Sequence, residues 1–189
     1  GQVVQGLVER RAGEAKFFCT PDFPYTYEMY VVKNSVTLRS GPSSGYSSTG
    51  SLKRGNLVCV NYKKYIGQYA WGRISSNGSY HWFRLDYAKY GNIESPDNSL
   101  ISTCLYNVEN VDGGIKLNWK KVNGADGYKI YRSVNDPNDF SLIKTVSDKN
   151  TVSYTDSSVS TKEYHYYVVA YNGDNDAPKS AISEITYVN

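Results

Sequence analysis

The sequence is short of several things. It has one methionine, two histidines and three cysteines in 189 residues, and no apolar run approaches the roughly 18 residues a membrane helix needs. Cys19, Cys59 and Cys104 show no CxxC spacing, so unpaired or buried structural thiols are expected rather than a zinc knuckle or redox pair. One disulfide with a leftover thiol is the alternative. There is no HExxH, no EF-hand loop and no glycine-rich phosphate loop before a helix. His81 and His165 are far apart in the chain, each beside aromatic residues, His81 reading as rim and His165 as solvent face. A nucleophile needs an adjacent base, and a glycosidase needs two carboxylates across a cleft. Neither arrangement is visible, so no enzymatic activity, cofactor or metal is expected. The chain begins at Gly1 with no basic and then apolar leader, and reads as a mature fragment.

Tyrosine is abundant, at 19 residues. With many Val and Thr it predicts β-structure, because aromatic and β-branched side chains fit a pleated, half-buried surface. The polar stretch from Gly91 to Ser99, with Pro96 within it, reads as a linker. Before it, short strands are expected at Met29–Val32, Val36–Leu38, Leu57–Tyr62, Ala70–Ile74 and Tyr80–Phe83, with Asn77-Gly78 as a hairpin turn. Asn77-Gly78-Ser79 is also a glycosylation sequon by pattern, but the turn explains it better. After the linker the rhythm lengthens. Ile115, Leu117 and Trp119 alternate, and strands follow at Tyr128–Arg132, Ser141–Val146, Val152–Asp156, Glu163–Tyr171 and Ala181–Val188. The expected division is therefore an extension over 1–25, a small barrel over 26–90, a linker over 91–102 and a sandwich over 103–189.

Charge divides too. Residues 26–102 hold nine Lys/Arg against four acids, a net of +5, while residues 103–189 hold nine against eleven, a net of −2. A basic module is drawn to acidic polymers or an anionic cell wall. Its Lys and Arg are spread over turns rather than a stripe, so nucleic acid is not the expected partner.

Val36-Thr37-Leu38-Arg39-Ser40-Gly41-Pro42-Ser43 resembles the opening motif of bacterial SH3-like domains, with Tyr46 in the aromatic place that follows. Gly50-Ser51-Leu52-Lys53-Arg54-Gly55, Leu57–Val60, Trp71-Gly72-Arg73-Ile74, Trp82-Phe83 and Leu85-Asp86-Tyr87 continue the likeness over about residues 29–90. His81 where the family commonly has Gly, and the Tyr-rich stretch Tyr62 to Tyr69, depart from it. The second block is similar to a fibronectin type III domain over about residues 103–188, through Leu117-Asn118-Trp119, Gly127–Arg132 and Tyr164–Ala170. That resemblance makes Tyr164 a tyrosine-corner residue, bonding back to nearby backbone. The fold class is thus all-β: a small SH3-like barrel plus an immunoglobulin-like (fibronectin type III) sandwich.

A barrel of about 60 residues cannot bury so many rings, so exposed aromatics are expected to bind. Arg39, Tyr46, Tyr69, Trp71, Tyr80, Trp82 and Tyr87 are the candidate ligand residues, with Lys63 and Lys64 near enough to meet carboxylates or phosphates. The resemblance implies recognition of bacterial cell-wall peptidoglycan or a peptide, outside the cell or in its envelope, with the second block as spacer or interaction surface. The alternatives are an accessory region of a cell-wall hydrolase, peptidase or carbohydrate-active enzyme, and a protein–protein scaffold.

Overall fold

A computed structural model describes residues 28–76, 78–91 and 100–188. The expectations placed on residues 1–25, on Cys19, on Asn77 and on residues 92–99 of the linker lie outside them. The first block carries β1 (Glu28–Val32), β2 (Val36–Arg39), β3 (Ser48–Leu52), β4 (Leu57–Val60), β5 (Tyr62–Ile66), β6 (Tyr69–Ser76) and β7 (Ser79–Arg84). A 3₁₀ turn over Leu85–Tyr87 then leads into β8 (Ala88–Tyr90). The second block carries β9 (Leu105–Val111), β10 (Gly114–Trp119), β11 (Gly127–Val134), β12 (Ser141–Val146) and β13 (Ser153–Asp156). It ends with β14 (Glu163–Asn172), the short β15 (Asn175–Asp176) and β16 (Ile182–Thr186). The chain is all-β.

Several strands follow from local chemistry. The β6–β7 pair closes with Ser76 opposite Ser79, and Gly78 takes a φ of 74°, the left-handed value a tight hairpin demands. The expected strand Leu57–Tyr62 is cut at Asn61, which turns its carboxamide to Arg73 Nε (3.0 Å) and its backbone N–H to the Arg73 carbonyl. β3 carries no alternation to read, since Ser48, Thr49, Gly50 and Ser51 are all exposed.

The second block is an immunoglobulin-like sandwich. Sheet β13-β10-β9 faces β12-β11-β14-β16 across a core of Leu105, Ile115, Leu117, Trp119, Tyr128, Ile130, Tyr164, Tyr166 and Val168. Trp119 is fully buried against Tyr128, with ring centroids 5.4 Å apart. The Tyr164 hydroxyl accepts a hydrogen bond from the Ser160 N–H at 2.8 Å, which is the corner geometry. The first block packs β4-β1-β8 and β5-β6-β7-β2-β3 around Val32, Leu38, Leu52, Val58, Ile74 and Phe83.

The two blocks are continuous. β16 pairs in parallel with β5, Ile182 opposite Tyr62 and Glu184 opposite Lys64, so one sheet runs through both blocks from β12 to β3. The Tyr-rich stretch Tyr62 to Tyr69 is the β5–β6 hairpin that makes this junction. Cys104 and Ala181 enter the first core, and Tyr65 packs on the second.

Beneath the seam Glu28 and Lys63 are both buried. Glu28 receives Lys63 Nζ (2.7 Å), Tyr30 Oη (2.9 Å) and the N–H groups of Leu105 and Ala181 (both 3.1 Å). Lys63 Nζ also donates to the Leu105 carbonyl. Lys63 therefore does not face a ligand, contrary to expectation, because β5 turns it inward while Tyr62 and Lys64 point outward. Burial works against its charge, but the Glu28 carboxylate outweighs it and holds the ammonium above its ordinary pKa.

Of the cysteines, Cys59 is disulfide-bonded and Cys104 is free and buried. Among the described residues, then, the expectation of an unpaired buried thiol holds for Cys104 and not for Cys59. Burial, then the nearby Glu28 carboxylate, push the Cys104 thiol up, which keeps it protonated and a poor nucleophile.

Candidate functional site

The outer face of the shared sheet collects the aromatic and guanidinium side chains. Register places Tyr62, Arg73, Trp82 and Arg39 in one cross-strand row, and Lys64, Trp71 and Arg84 in the next. The cause is a motif that occurs twice: Tyr69-x-Trp71-x-Arg73 on β6 and Tyr80-x-Trp82-x-Arg84 on β7. A period of two puts all six on one face. The antiparallel register then sets each Arg opposite the other strand's Trp.

The rings and guanidiniums stack. Arg73 lies 4.2 Å from the Tyr80 ring centroid and 4.7 Å from Tyr62, and Arg84 lies 3.8 Å from Tyr69 and 5.4 Å from Tyr87. Such contacts are worth about 0.5–1 kcal/mol at exposed sites. Arg84 is also forked onto Asp86, which fixes its plane.

A groove of about 220 Å³ opens between the loop before β2 and this face, lined by Ser35, Val36, Thr37, Arg39, Ser44, Trp71, Arg84 and Tyr87. Arg39, Trp71 and Tyr87 thus share one concavity. Trp71 is only 5% exposed and forms its wall between Lys64 and Arg84. Tyr46 stands beside the groove, 49% exposed, and its carbonyl accepts from Arg39 at 2.9 Å. Its ring lies flat on Gly41, where any Cβ would sit 2.5 Å from the ring carbons. That contact explains the Gly in the Arg-Ser-Gly-Pro string. Tyr69, Tyr80 and Trp82 extend the surface away from the groove along the Arg73 and Arg84 stacks. Arg73 and Arg84 were not singled out from the sequence, although the repeated Tyr-x-Trp-x-Arg spacing carries them.

Other assignments change. Tyr30 and Tyr62 are buried, and Tyr65 and Tyr90 are packed against the cores, so part of the tyrosine surplus closes the junction rather than meeting solvent. Tyr62 donates to Glu184 at 2.7 Å, and Lys64 pairs with the same carboxylate. His165 is 1% exposed, not a solvent-face residue. It does point to the outer face, but Glu184 across the strand and the Tyr62 ring cover it. His81 bonds Thr49 at 2.9 Å. A second cleft of about 470 Å³ lies at the junction, walled by Tyr30, Tyr65, Tyr69, Tyr90 and Tyr106, with Lys89 and Lys120 among its lining.

No family model and no curated protein matches the chain. Among solved structures it is similar to a Fn3-like protein from Clostridium thermocellum, at 26% identity and a TM-score of 0.36, over 48% of this chain and 90% of that one. It is similar also to a β-1,2-glucanase from Parabacteroides distasonis, at 17% identity and a TM-score of 0.44, over 88% of this chain and 28% of the glucanase. A two-domain fibronectin type III segment of chicken tenascin aligns at 9% identity and a TM-score of 0.37, over 88% of this chain and 87% of that one. With all three TM-scores below 0.5, the sandwich assignment rests on this chain's own strand order, Trp119 and Tyr164.

Proposed function

We propose that this chain is a non-catalytic binding unit of an exported bacterial protein, holding cell-wall peptidoglycan or a related peptide through its first block. In this reading residues 28–90 act as an SH3-like domain and the fibronectin type III-like sandwich is its rigid support. The observation that carries it is the groove lined together by Arg39, Arg84, Trp71, Tyr87, Ser35, Thr37 and Ser44. A guanidinium pairs with carboxylates, and a part-exposed ring such as Tyr87 offers contact to a sugar ring or peptide backbone. A wall polymer of sugars and acidic peptide stems offers both. The disulfide at Cys59 suits an oxidising compartment. An accessory role beside a catalytic domain, or a scaffold docking a partner protein, would use the same face.

Co-sedimentation with purified peptidoglycan tests this. The protein is expected in the pellet at low salt, with partial release at moderate salt as the guanidinium contacts are screened. A protein that stays in the supernatant at both salts contradicts wall binding and leaves the scaffold.

A further inference from the structure

Away from the groove, three side chains converge that wall binding does not use. Glu163 and His165 lie on β14, two residues apart on the outer face, and Glu184 of β16 is the cross-strand partner of His165. His165 Nε2 stands 3.5 Å from Glu163 Oε1 and 3.9 Å from Glu184 Oε2, beyond a sound hydrogen bond. Its Nδ1 has no hydrogen-bond partner among the described residues, although the side chain is 1% exposed. A buried imidazole with Nδ1 unbonded is unusual, because an unsatisfied buried polar group is costly.

The carboxyl groups of Glu163 and Glu184 both face the imidazole, with the Lys64 ammonium on Glu184 Oε1 and the Tyr62 hydroxyl donating to Glu184 Oε2 at 2.7 Å. In a tetrahedral shell with bonds of about 2.0–2.1 Å, ligand atoms stand roughly 3.3–3.4 Å apart. The two His–Glu separations exceed this by about 0.1–0.6 Å, and all three ligand atoms lie within 4.8 Å of one another.

We propose that Glu163, His165 and Glu184 bind a borderline divalent transition-metal ion of the zinc type. One imidazole nitrogen and two carboxylate oxygens suit Zn²⁺ better than Mg²⁺ or Ca²⁺, which take all-oxygen shells. Glu163 is 40% exposed, which leaves an entry path and a fourth position for water. Three features set the affinity. Lys64 and the Tyr62 hydroxyl both hold Glu184, and metal on Nε2 places the proton on Nδ1, where no acceptor waits. A missing outer-shell partner typically costs 10–100-fold, so the site is a modest one. It reinforces the β14–β16 pair beside the seam and is independent of the groove.

The test is calorimetric titration of the tag-free chain with Zn²⁺, and separately Co²⁺ with visible absorption. Saturable 1:1 binding is expected, with Co²⁺ bands of a low-coordinate N/O site and no comparable heat from Mg²⁺. Glu163→Gln, which alters a largely exposed side chain and keeps the fold by circular dichroism, is expected to weaken Zn²⁺ at least about tenfold. His165→Gln is expected to do the same. Absence of saturable Zn²⁺ binding, equal heat from Mg²⁺, or undiminished binding in Glu163→Gln would each overturn the proposal.

Discussion

Glu28 gathers donors from both blocks: an ammonium and a phenol from the first, and two backbone N–H groups from the second. Replacing a buried ion pair by apolar residues is often neutral, whereas removing one partner strands a charge. Lys63→Met is therefore expected to lower unfolding free energy by about 3–5 kcal/mol in urea titration, with Glu28→Gln added on the same chain recovering part of the loss. Equal stability of Lys63→Met and wild type would contradict the pairing. None of this was legible in the sequence. Lys63 and Glu28 are separated by 35 residues, and the adjacent Lys63-Lys64 pair reads as a solvated basic spot. Only the strand period distinguishes them, and only once the inward side of β5 is known. The shared face of Tyr69, Trp71 and Arg73 with Tyr80, Trp82 and Arg84 is more legible, because a spacing of two puts a strand's side chains on one face.

At the scale of elements, the β5–β6 hairpin decides the architecture. The Asn77-Gly78 turn signal and the strands around Trp71, Trp119 and Tyr164 were readable, whereas Tyr62 to Tyr69 read as a Tyr-rich departure from the SH3-like pattern rather than as a strand of this hairpin. Its parallel partner was not readable either, because nothing local in Tyr62–Ile66 specifies pairing with a strand some 120 residues on. The same gap misplaced His165: alternation gave the correct face, but that face is covered by an element from elsewhere.

The junction also sets an alkaline limit. Burial pushes Tyr65 up to about 12, and Lys63 and Tyr30 also titrate above their ordinary values. Between about pH 10, where unfolded tyrosine and lysine lose their protons, and pH 12, the folded chain holds protons that the unfolded chain has released. Stability must then fall as pH rises through that window, being fully present below it. Thermal unfolding followed by far-ultraviolet circular dichroism should show a plateau up to about pH 9.5 and a falling midpoint above it. A midpoint flat to pH 12 would mean that these groups are not buried together.

For the whole molecule, the shared sheet makes the sandwich more than a spacer. β16 edges β5, so the Tyr-x-Trp-x-Arg face of β6 and β7 is braced by the second block rather than hanging from a linker. Part of the charge asymmetry between blocks, read directly from composition, now has a location: Arg39, Arg73 and Arg84 stand on one face, Arg39 held by the Tyr46 carbonyl, Arg73 by rings and Arg84 by rings and Asp86. The claim that this face is the binding surface is tested most directly by peptidoglycan binding isotherms of two charge-matched double variants. Arg39→Ala with Arg84→Ala empties the groove, while Lys144→Ala with Lys149→Ala removes the same charge from exposed positions of the second block. The groove pair is expected to weaken binding by about tenfold or more, the worth of about one charged hydrogen bond, and the control pair by less than about twofold. Equal losses from the two pairs, or none from the groove pair, would contradict the account.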